Sequence, residues 1–307
     1  MDYYLAVRAF VGVADTGSFV RTAAALDLPR NTLTKLVQSL EAHLGMRLFH
    51  RTTRRVTLTN DGAAYYARIA RVLDEWQDAE SELSAAHGAP RGRLRVDMGT
   101  TMAALLVIPA LPDFQARYPG LQLDIGVSDR SVDLVHDRVD CVVRGGEITD
   151  PSLIARRIGT LQYVLCATPD YLTRHGTPQH PVDLDNGHLL VRYFFAGSGR
   201  KAPIELARRD EKVVVKGQHF LAVNDSNAYL AAGLAGLGIV HTLTFMAQPH
   251  IDAGRLVPIL PDWSTPPHPM SIVYLPNRHL SARVRVFVDW VAELFAKLGK
   301  NVEKIRP

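Results

Sequence analysis

The chain has 307 residues, of which 47% are hydrophobic and 21% charged, which allows two or three domains with packed cores. Its two cysteines, Cys141 and Cys166, exclude a disulfide framework or thiolate metal cluster, and they fit a reducing cytoplasm. No stretch approaches the ~20 apolar residues of a membrane span, and the start MDYYLAVRAF lacks a signal-peptide pattern, so a cytoplasmic protein is expected.

The net charge of +4 is unevenly placed. Residues 1–60 hold eight Lys/Arg against four Asp/Glu, whereas residues 61–90 hold two against six. Asp2 to Ala14 is expected as a first helix, with Leu5, Ala9 and Val13 on one stripe and Phe10 beside it. Thr16-Gly17-Ser18 breaks it, and Ser18 is placed to cap a second helix, Phe19 to Leu26. Pro29 fits only a first helical turn, so a third helix is expected from there to about His43, with Gly45 ending it. In this helix Leu33, Leu36, Val37, Leu40 and Leu44 recur at helical spacing and must be buried. Arg30, Asn31, Thr32, Thr34, Lys35 and Gln38 are thereby turned outward. A tight turn followed by a helix that offers cations and amides from its first turns is how a helix-turn-helix meets a DNA major groove. Asn31 and Gln38 suit adenine edges, and Arg30 or Lys35 suits guanine.

Two β-like runs between Arg47 and Leu58 flank a basic tip. This is the pattern of a wing whose Arg51, Arg54 and Arg55 reach the DNA backbone or minor groove. Thr59 is placed to cap a long helix with Asp61 in its first turn. Along it Tyr65, Ile69, Val72, Trp76, Ala79, Leu83 and Ala86 alternate at spacings of 4 and 3, a heptad seam that favours a dimerising linker helix.

The stretch His87 to Gly92 marks a boundary, after which strand and helix patterns alternate, as in an α/β domain with a parallel sheet. The expected elements are strand Leu94 to Met98, a helix from Thr101 interrupted at Pro109 and Pro112, strand Leu121 to Val127, a short helix near Val132 to His136, and strand Val139 to Arg144. A second set comprises strand Tyr163 to Ala167, helix Pro169 to His175, strands His188 to Arg192 and Lys212 to Val215, helix Ser226 to Ala235, and strand Ile239 to Thr242. Strand Met270 to Tyr274 and helix Ala282 to Leu298 complete the chain.

The combination Ser18-Phe19, Ala23-Ala24, Leu26, Leu33-Thr34, Leu40-Glu41, Leu44-Gly45, Leu48-Phe49, Arg51, Thr57-Leu58-Thr59 and Gly62 resembles the LysR-type transcriptional regulator family. In the second half the similarity lies in layout, including Asp140 before a strand ending in Arg144 and the Gly236-x-Gly238-Ile239 turn. The resemblance implies a winged helix-turn-helix, a linker helix and a two-lobed, periplasmic-binding-protein-like α/β effector domain. The corresponding ranges are 1–60, 61–87, a hinge at 88–92, and 93–307, with lobe I at 93–162 and 270–307 and lobe II at 163–269. It implies a homodimer that assembles to a homotetramer on double-stranded promoter DNA, with RNA polymerase as a possible further partner. Three positions depart from the family pattern: Pro29 and Thr34 replace the usual serines, and Leu243 replaces a proline.

A small, anionic effector is expected between the lobes, where strands end and helices begin. Thr100-Thr101, Ser128-Asp129, Asn224-Asp225 and Thr242 sit at such turns, and Arg144 would favour an anion. An enzyme is the first rival reading. His175, His180, His188, His219 and His241 are present, but HExxH, CxxC, GxSxG and Walker patterns are missing, and the glycines at 233, 236 and 238 have the wrong order for a dinucleotide loop. No catalytic residue, cofactor or metal is therefore expected. A secreted solute-binding protein, the second rival, has no use for residues 1–87.

Overall fold

The computed structural model describes residues 2–51, 56–85, 90–130, 132–134, 137, 139–148, 150–276 and 280–303. It divides into two compact units, Met1–Gly88 and Ala89–Pro307.

The first unit is built from α1 (Tyr3–Thr16), α2 (Phe19–Ala25), α3 (Arg30–Leu44), the antiparallel strands β1 (Phe49–Arg51) and β2 (Val56–Leu58), and α4 (Asn60–Ala85). Local chemistry sets each boundary. The Asp2 carboxylate accepts from Leu5 N at 3.0 Å, and the Ser18 hydroxyl accepts from Arg21 N at 3.3 Å. Gly45 ends α3 in the left-handed region at φ 68°. Pro29 precedes α3 as its N-cap, in extended conformation, instead of occupying the first turn; with φ fixed by its ring and ψ at 138°, it lies just outside the helix. Thr59 caps α4 by accepting from Gly62 N at 2.9 Å, while its own hydroxyl donates to Arg47 O at 2.7 Å. Gly62 is required here, because a Cβ would lie 2.1 Å from Leu48 O. The core brings together Ala6, Val7, Ala9, Phe10 and Val13 of α1, Leu33, Val37 and Leu40 of α3, and Leu48, Phe49 and Leu73. Leu5 is half-buried, so the apolar stripe of α1 is rotated toward Ala6 and Phe10 relative to the expected one, and Leu36 and Leu44 of α3 are half-buried where full burial is expected.

The second unit begins with β3 (Gly92–Met98), α5 (Thr100–Met102), a π-helical turn Ala103–Val107, α6 (Ile108–Arg117), β4 (Leu121–Val127), β5 (Cys141–Gly145) and β6 (Ile154–Leu161). Then come β7 (Tyr163–Ala167), α7 (Pro169–His175), a 3-10 turn Pro181–Asp185, β8 (Leu189–Tyr193), β9 (Ile204–Arg208), β10 (Glu211–Val215) and β11 (Gln218–Val223). It closes with α8 (Ser226–Leu234), β12 (Val240–Leu243), α9 (Thr244–Asp252), β13 (Val257–Pro258), β14 (His268–Tyr274) and α10 (Ala282–Glu303).

One five-stranded sheet runs β4-β3-β5-β14-β6, with β4 and β5 parallel to β3, and β14 antiparallel to β5 and β6. Its core includes Leu94, Val96, Met98, Val143 and Ile272 with Phe114, Phe287 and Trp290 from α6 and α10. The other lobe holds β12-β7-β13, the parallel pair β11-β8 and the hairpin β9-β10. The chain thus crosses from the first lobe to the second after β6 and returns before β14.

Several expectations are corrected. The sheet is mixed where a parallel one is expected, because the second crossing brings β14 back antiparallel. The helix from Thr100 runs on through Pro109 and Pro112 without interruption. The π turn shifts the hydrogen-bond ladder, so Pro109 falls in the first turn of α6, where its missing N–H costs nothing. No helix forms at 132–134. The described residues there make a single turn, closed by Asp137 N donating to Asp133 O and by the Asp137 carboxylate accepting from Asp133 N; the rest of that expected helix lies outside the described residues. Strands β6, β9 and β11 and helix α9 carry no clear alternation or capping signal and are new.

Candidate DNA-binding surface and ligand cleft

In the first unit Arg30, Asn31, Thr32, Lys35 and Gln38 are all exposed, whereas Leu33, Val37 and Leu40 of the same helix are fully buried. Thr34 differs from its neighbours: it is half-buried, and its hydroxyl donates to Arg30 O at 3.0 Å, which occupies its only proton. Pro29 makes no side-chain cap, so the first-turn N–H groups of α3 have no such cover. The Glu41 carboxylate, from the last turn of α3, accepts from both Leu48 N at 2.9 Å and Phe49 N at 3.2 Å, tying the start of the wing to this helix. Arg54, Arg55 and the side chain of Arg51 lie outside the described residues.

The seam of α4 divides. Tyr65 and Ile69 pack into the core of their own unit, but Val72 and Trp76, one turn further, are 51% and 52% exposed. Trp76 leans on Tyr4 with ring centroids 5.2 Å apart. Ala79, Leu83 and Ala86 fall outside the described side chains.

In the second unit a cavity of about 680 Å³ opens between the lobes. Of the eight expected effector residues, Asp129, Arg144 and Thr242 line it. Thr100, Thr101, Ser128, Asn224 and Asp225 do not, and most of these join a network that crosses the cleft. Asp129 Oδ1 accepts from Thr100 N at 2.9 Å and Thr100 Oγ1 at 3.2 Å, while its Oδ2 accepts from Ser226 N at 2.8 Å and Ser226 Oγ at 2.7 Å. Thr100 Oγ1 also lies 3.2 Å from Asp225 Oδ2, and Thr101 Oγ1 donates to Asn227 Oδ1 at 3.2 Å. Residues about a hundred positions apart thus latch the N-terminus of α8 to the β3–α5 turn. The Asn224 and Ser128 carbonyls accept from Tyr193 Oη at 3.4 Å and Arg144 Nη1 at 3.1 Å.

Arg144 is already paired: its Nη2 lies 2.8 Å from Asp97 Oδ1, and it also donates to Arg130 O. Burial lifts the Asp97 carboxyl to about 6, against the pull of Arg144 and with a smaller push from Asp137. This pair is internal to one lobe, so Arg144 does not bridge the two.

The rest of the cavity was not expected from the sequence. Tyr163 stacks on His241 at 4.5 Å and 25°, and its hydroxyl meets His268 Nδ1 at 3.2 Å. Burial, aided by the charge of Arg192, pushes His241 down to about 4, leaving it neutral. Burial also pushes Tyr163 and Tyr229 up to about 12. Arg192, inside β8, is only 6% exposed. The signal for it was available: Leu189-Leu190-Val191-Arg192-Tyr193-Phe194 is an apolar strand run with one cation in it. Tyr163, His268 and Thr265 carry no such mark. Cys141 and Cys166 are buried elsewhere, with burial raising both thiols, which is unlike a reactive thiolate. Among the described residues no three metal-ligating side chains cluster, and no helix is long and apolar enough to cross a membrane.

Comparison with known proteins addresses both units. Residues 5–63 match the family model for bacterial regulatory helix-turn-helix proteins of the lysR family, and residues 87–296 match the LysR substrate binding domain. An HTH-type transcriptional repressor of Pseudomonas aeruginosa is 41% identical, over 97% of this chain and 93% of its own. The solved structure of CrgA, a LysR-type transcriptional regulator from Neisseria meningitidis, is similar with a TM-score of 0.61 and 32% identity, covering 94% of this chain and 98% of that one. The full-length Vibrio cholerae virulence activator AphB gives 0.59 and 28%, over 93% and 97%.

Proposed function

This chain belongs to the LysR family of transcriptional regulators, and from that premise we propose that α3 reads a promoter half-site while a small anionic metabolite binds between the lobes. The observation that carries the DNA reading is the division of α3 between a buried stripe of Leu33, Val37 and Leu40 and an exposed, polar and basic first half of Arg30, Asn31, Thr32, Lys35 and Gln38. Arg30, Asn31, Thr32, Lys35 and Gln38 contact base edges and phosphates, Thr34 packs beside them, and Arg51, Arg54 and Arg55 of the wing hold the backbone. The cell compartment is the cytoplasm, where the promoter is.

The exposed Val72 and Trp76 on the seam of α4 support pairing of two copies through that helix. Two-fold pairing matches an inverted repeat, and a dimer of dimers gives the homotetramer. In the effector unit Asp129, Arg144 and Thr242 line the ligand space. Thr100, Thr101 and Asp225 act in the latch that sets how the lobes close, and Ser128 and Asn224 position Arg144 and Tyr193. Ligand binding shifts the population of lobe arrangements by as much as it prefers one over the other.

Fluorescence anisotropy with duplex DNA from the region upstream of the protein's own gene tests the first claim. R30A and K35A are each expected to weaken binding by about tenfold or more. Unchanged affinity and sequence preference at physiological salt would remove the assignment of α3.

A further inference from the structure

The interlobe cavity contains a buried cation that the fold satisfies only in part. The guanidinium of Arg192 donates through Nη2 to Ala202 O at 2.8 Å, but its Nη1 is buried without a partner among the described residues. Burial pushes its pKa down. Asp185, an acid that acts on it electrostatically, is held elsewhere, accepting from Lys216 N and Gly217 N. Two further atoms of the same cavity are stranded in the same way, His241 Nε2 and Thr265 Oγ1. A buried cation lacking one hydrogen-bond acceptor is costly to the fold, so it persists where something other than stability keeps it.

The surroundings limit what can satisfy it. Asp129 is saturated by Thr100 and Ser226, and Arg144 is neutralised by Asp97, whereas Arg192 is a buried cation of the cavity with no ion pair among the described residues. Six ring side chains form the walls: Tyr163, Tyr193, Phe195, Tyr229, His241 and His268. A volume of about 680 Å³ is ample for a one-ring ligand. Building on the reading of the cleft as the effector site, we propose that Arg192 anchors the effector and that the effector is an aromatic monocarboxylate. Its carboxylate takes Nη1 of Arg192, its ring lies among the aromatic walls, and its polar substituents meet His241 Nε2 and Thr265 Oγ1. Nη1 has no solvent contact, so a small rotation of the side chain accompanies entry.

The test uses full-length protein and benzoate as probe, followed by calorimetry, with benzyl alcohol and cyclohexanecarboxylate as the uncharged and non-planar counterparts. Benzoate is expected to bind at least about tenfold more tightly than either. R192M is expected to weaken it about 100-fold or more, and R192K by less, since a point charge remains without the planar fork. In the absence of ligand, R192M should melt no lower than the unsubstituted protein, because the substitution removes an unsatisfied buried charge; this outcome also shows that the variant folds. A melting temperature lowered by several degrees would make Arg192 a structural residue and overturn the proposal. So would failure of benzoate to bind at about 10 mM, or equal binding of all three probes. A202W, which fills the cavity wall, separates the two claims. Benzoate binding that survives R192M but is lost in A202W overturns the anchor and keeps the cleft, whereas binding that survives both overturns the cleft as well.

Discussion

The two faces of α3 and the two walls of the interlobe cavity solve opposite problems. On α3, apolar and polar groups alternate around one helix, so burial of Leu33, Val37 and Leu40 fixes where Arg30, Lys35 and Gln38 point. Stability and contact surface are separate, and each side chain has one task. In the cavity they coincide. Arg144, Arg192 and His241 are charged or polar groups placed among apolar and aromatic ones, and Arg192 Nη1 and His241 Nε2 have no partner among the described residues. A surface that meets a highly charged polymer can stay solvated until contact, whereas a site for a small molecule must be desolvated in advance.

Substitutions sharpen this contrast, beginning with the strongest. L33A should cost about 3 kcal/mol in urea unfolding of the first unit, because it deletes a fully buried side chain where three helices meet; a loss below about 1 kcal/mol would mean that the α3 face is not a true core. In the cavity, folded His241 takes its proton near pH 4, against an ordinary value of 6.5. Between those values the unfolded chain binds the extra proton, so acidification drains stability, by up to about 3 kcal/mol at the low end. Asp97, raised to about 6, works in the reverse sense. Melting curves of H241F across pH 4 to 7 should therefore fall less steeply on the acid side, with His188 and His268 still contributing in the same sense, and an unaltered pH profile would show that His241 is not buried as described.

A smaller effect is expected from D129A, which releases both Thr100 and Ser226. About 2 kcal/mol of stability should go, and small-angle scattering should show a wider spread of lobe arrangements; a variant as compact and as stable as the parent would remove the latch. Smallest of all, T34A should alter operator affinity by less than about 0.5 kcal/mol in the anisotropy assay, since the Thr34 hydroxyl already serves Arg30 O. A tenfold loss there would return Thr34 to the contact surface.

The same contrast explains what the sequence reveals. Helix-turn-helix residues are legible because one period of 3.6 sorts them, and caps such as Ser18 and Thr59 are local chemistry within three residues. Strand β4 and helix α7 lie where patterning places them. A cavity lies between the lobes, where the alternation of strands and helices leads one to look for it, but its lining is less legible. Asp129 and Ser226 meet only after the chain has crossed from one lobe to the other, so their mutual satisfaction has no local signature. Thr100 at a strand-to-helix turn looks like an anion site, and its donors are in fact already accepted by Asp129. The antiparallel return of β14 is likewise a long-range event, and π geometry before Pro109 leaves no mark in hydrophobic spacing.

The Glu41 carboxylate at the end of α3 has a mechanical consequence. By accepting from both Leu48 N and Phe49 N, it ties the end of α3 to the start of β1 at a set separation. On the proposed reading of α3 as the DNA-contacting helix, a set separation leaves the duplex to do the adjusting. Base steps that bend or narrow easily between the two contact points then become part of the recognised sequence, although no side chain touches them.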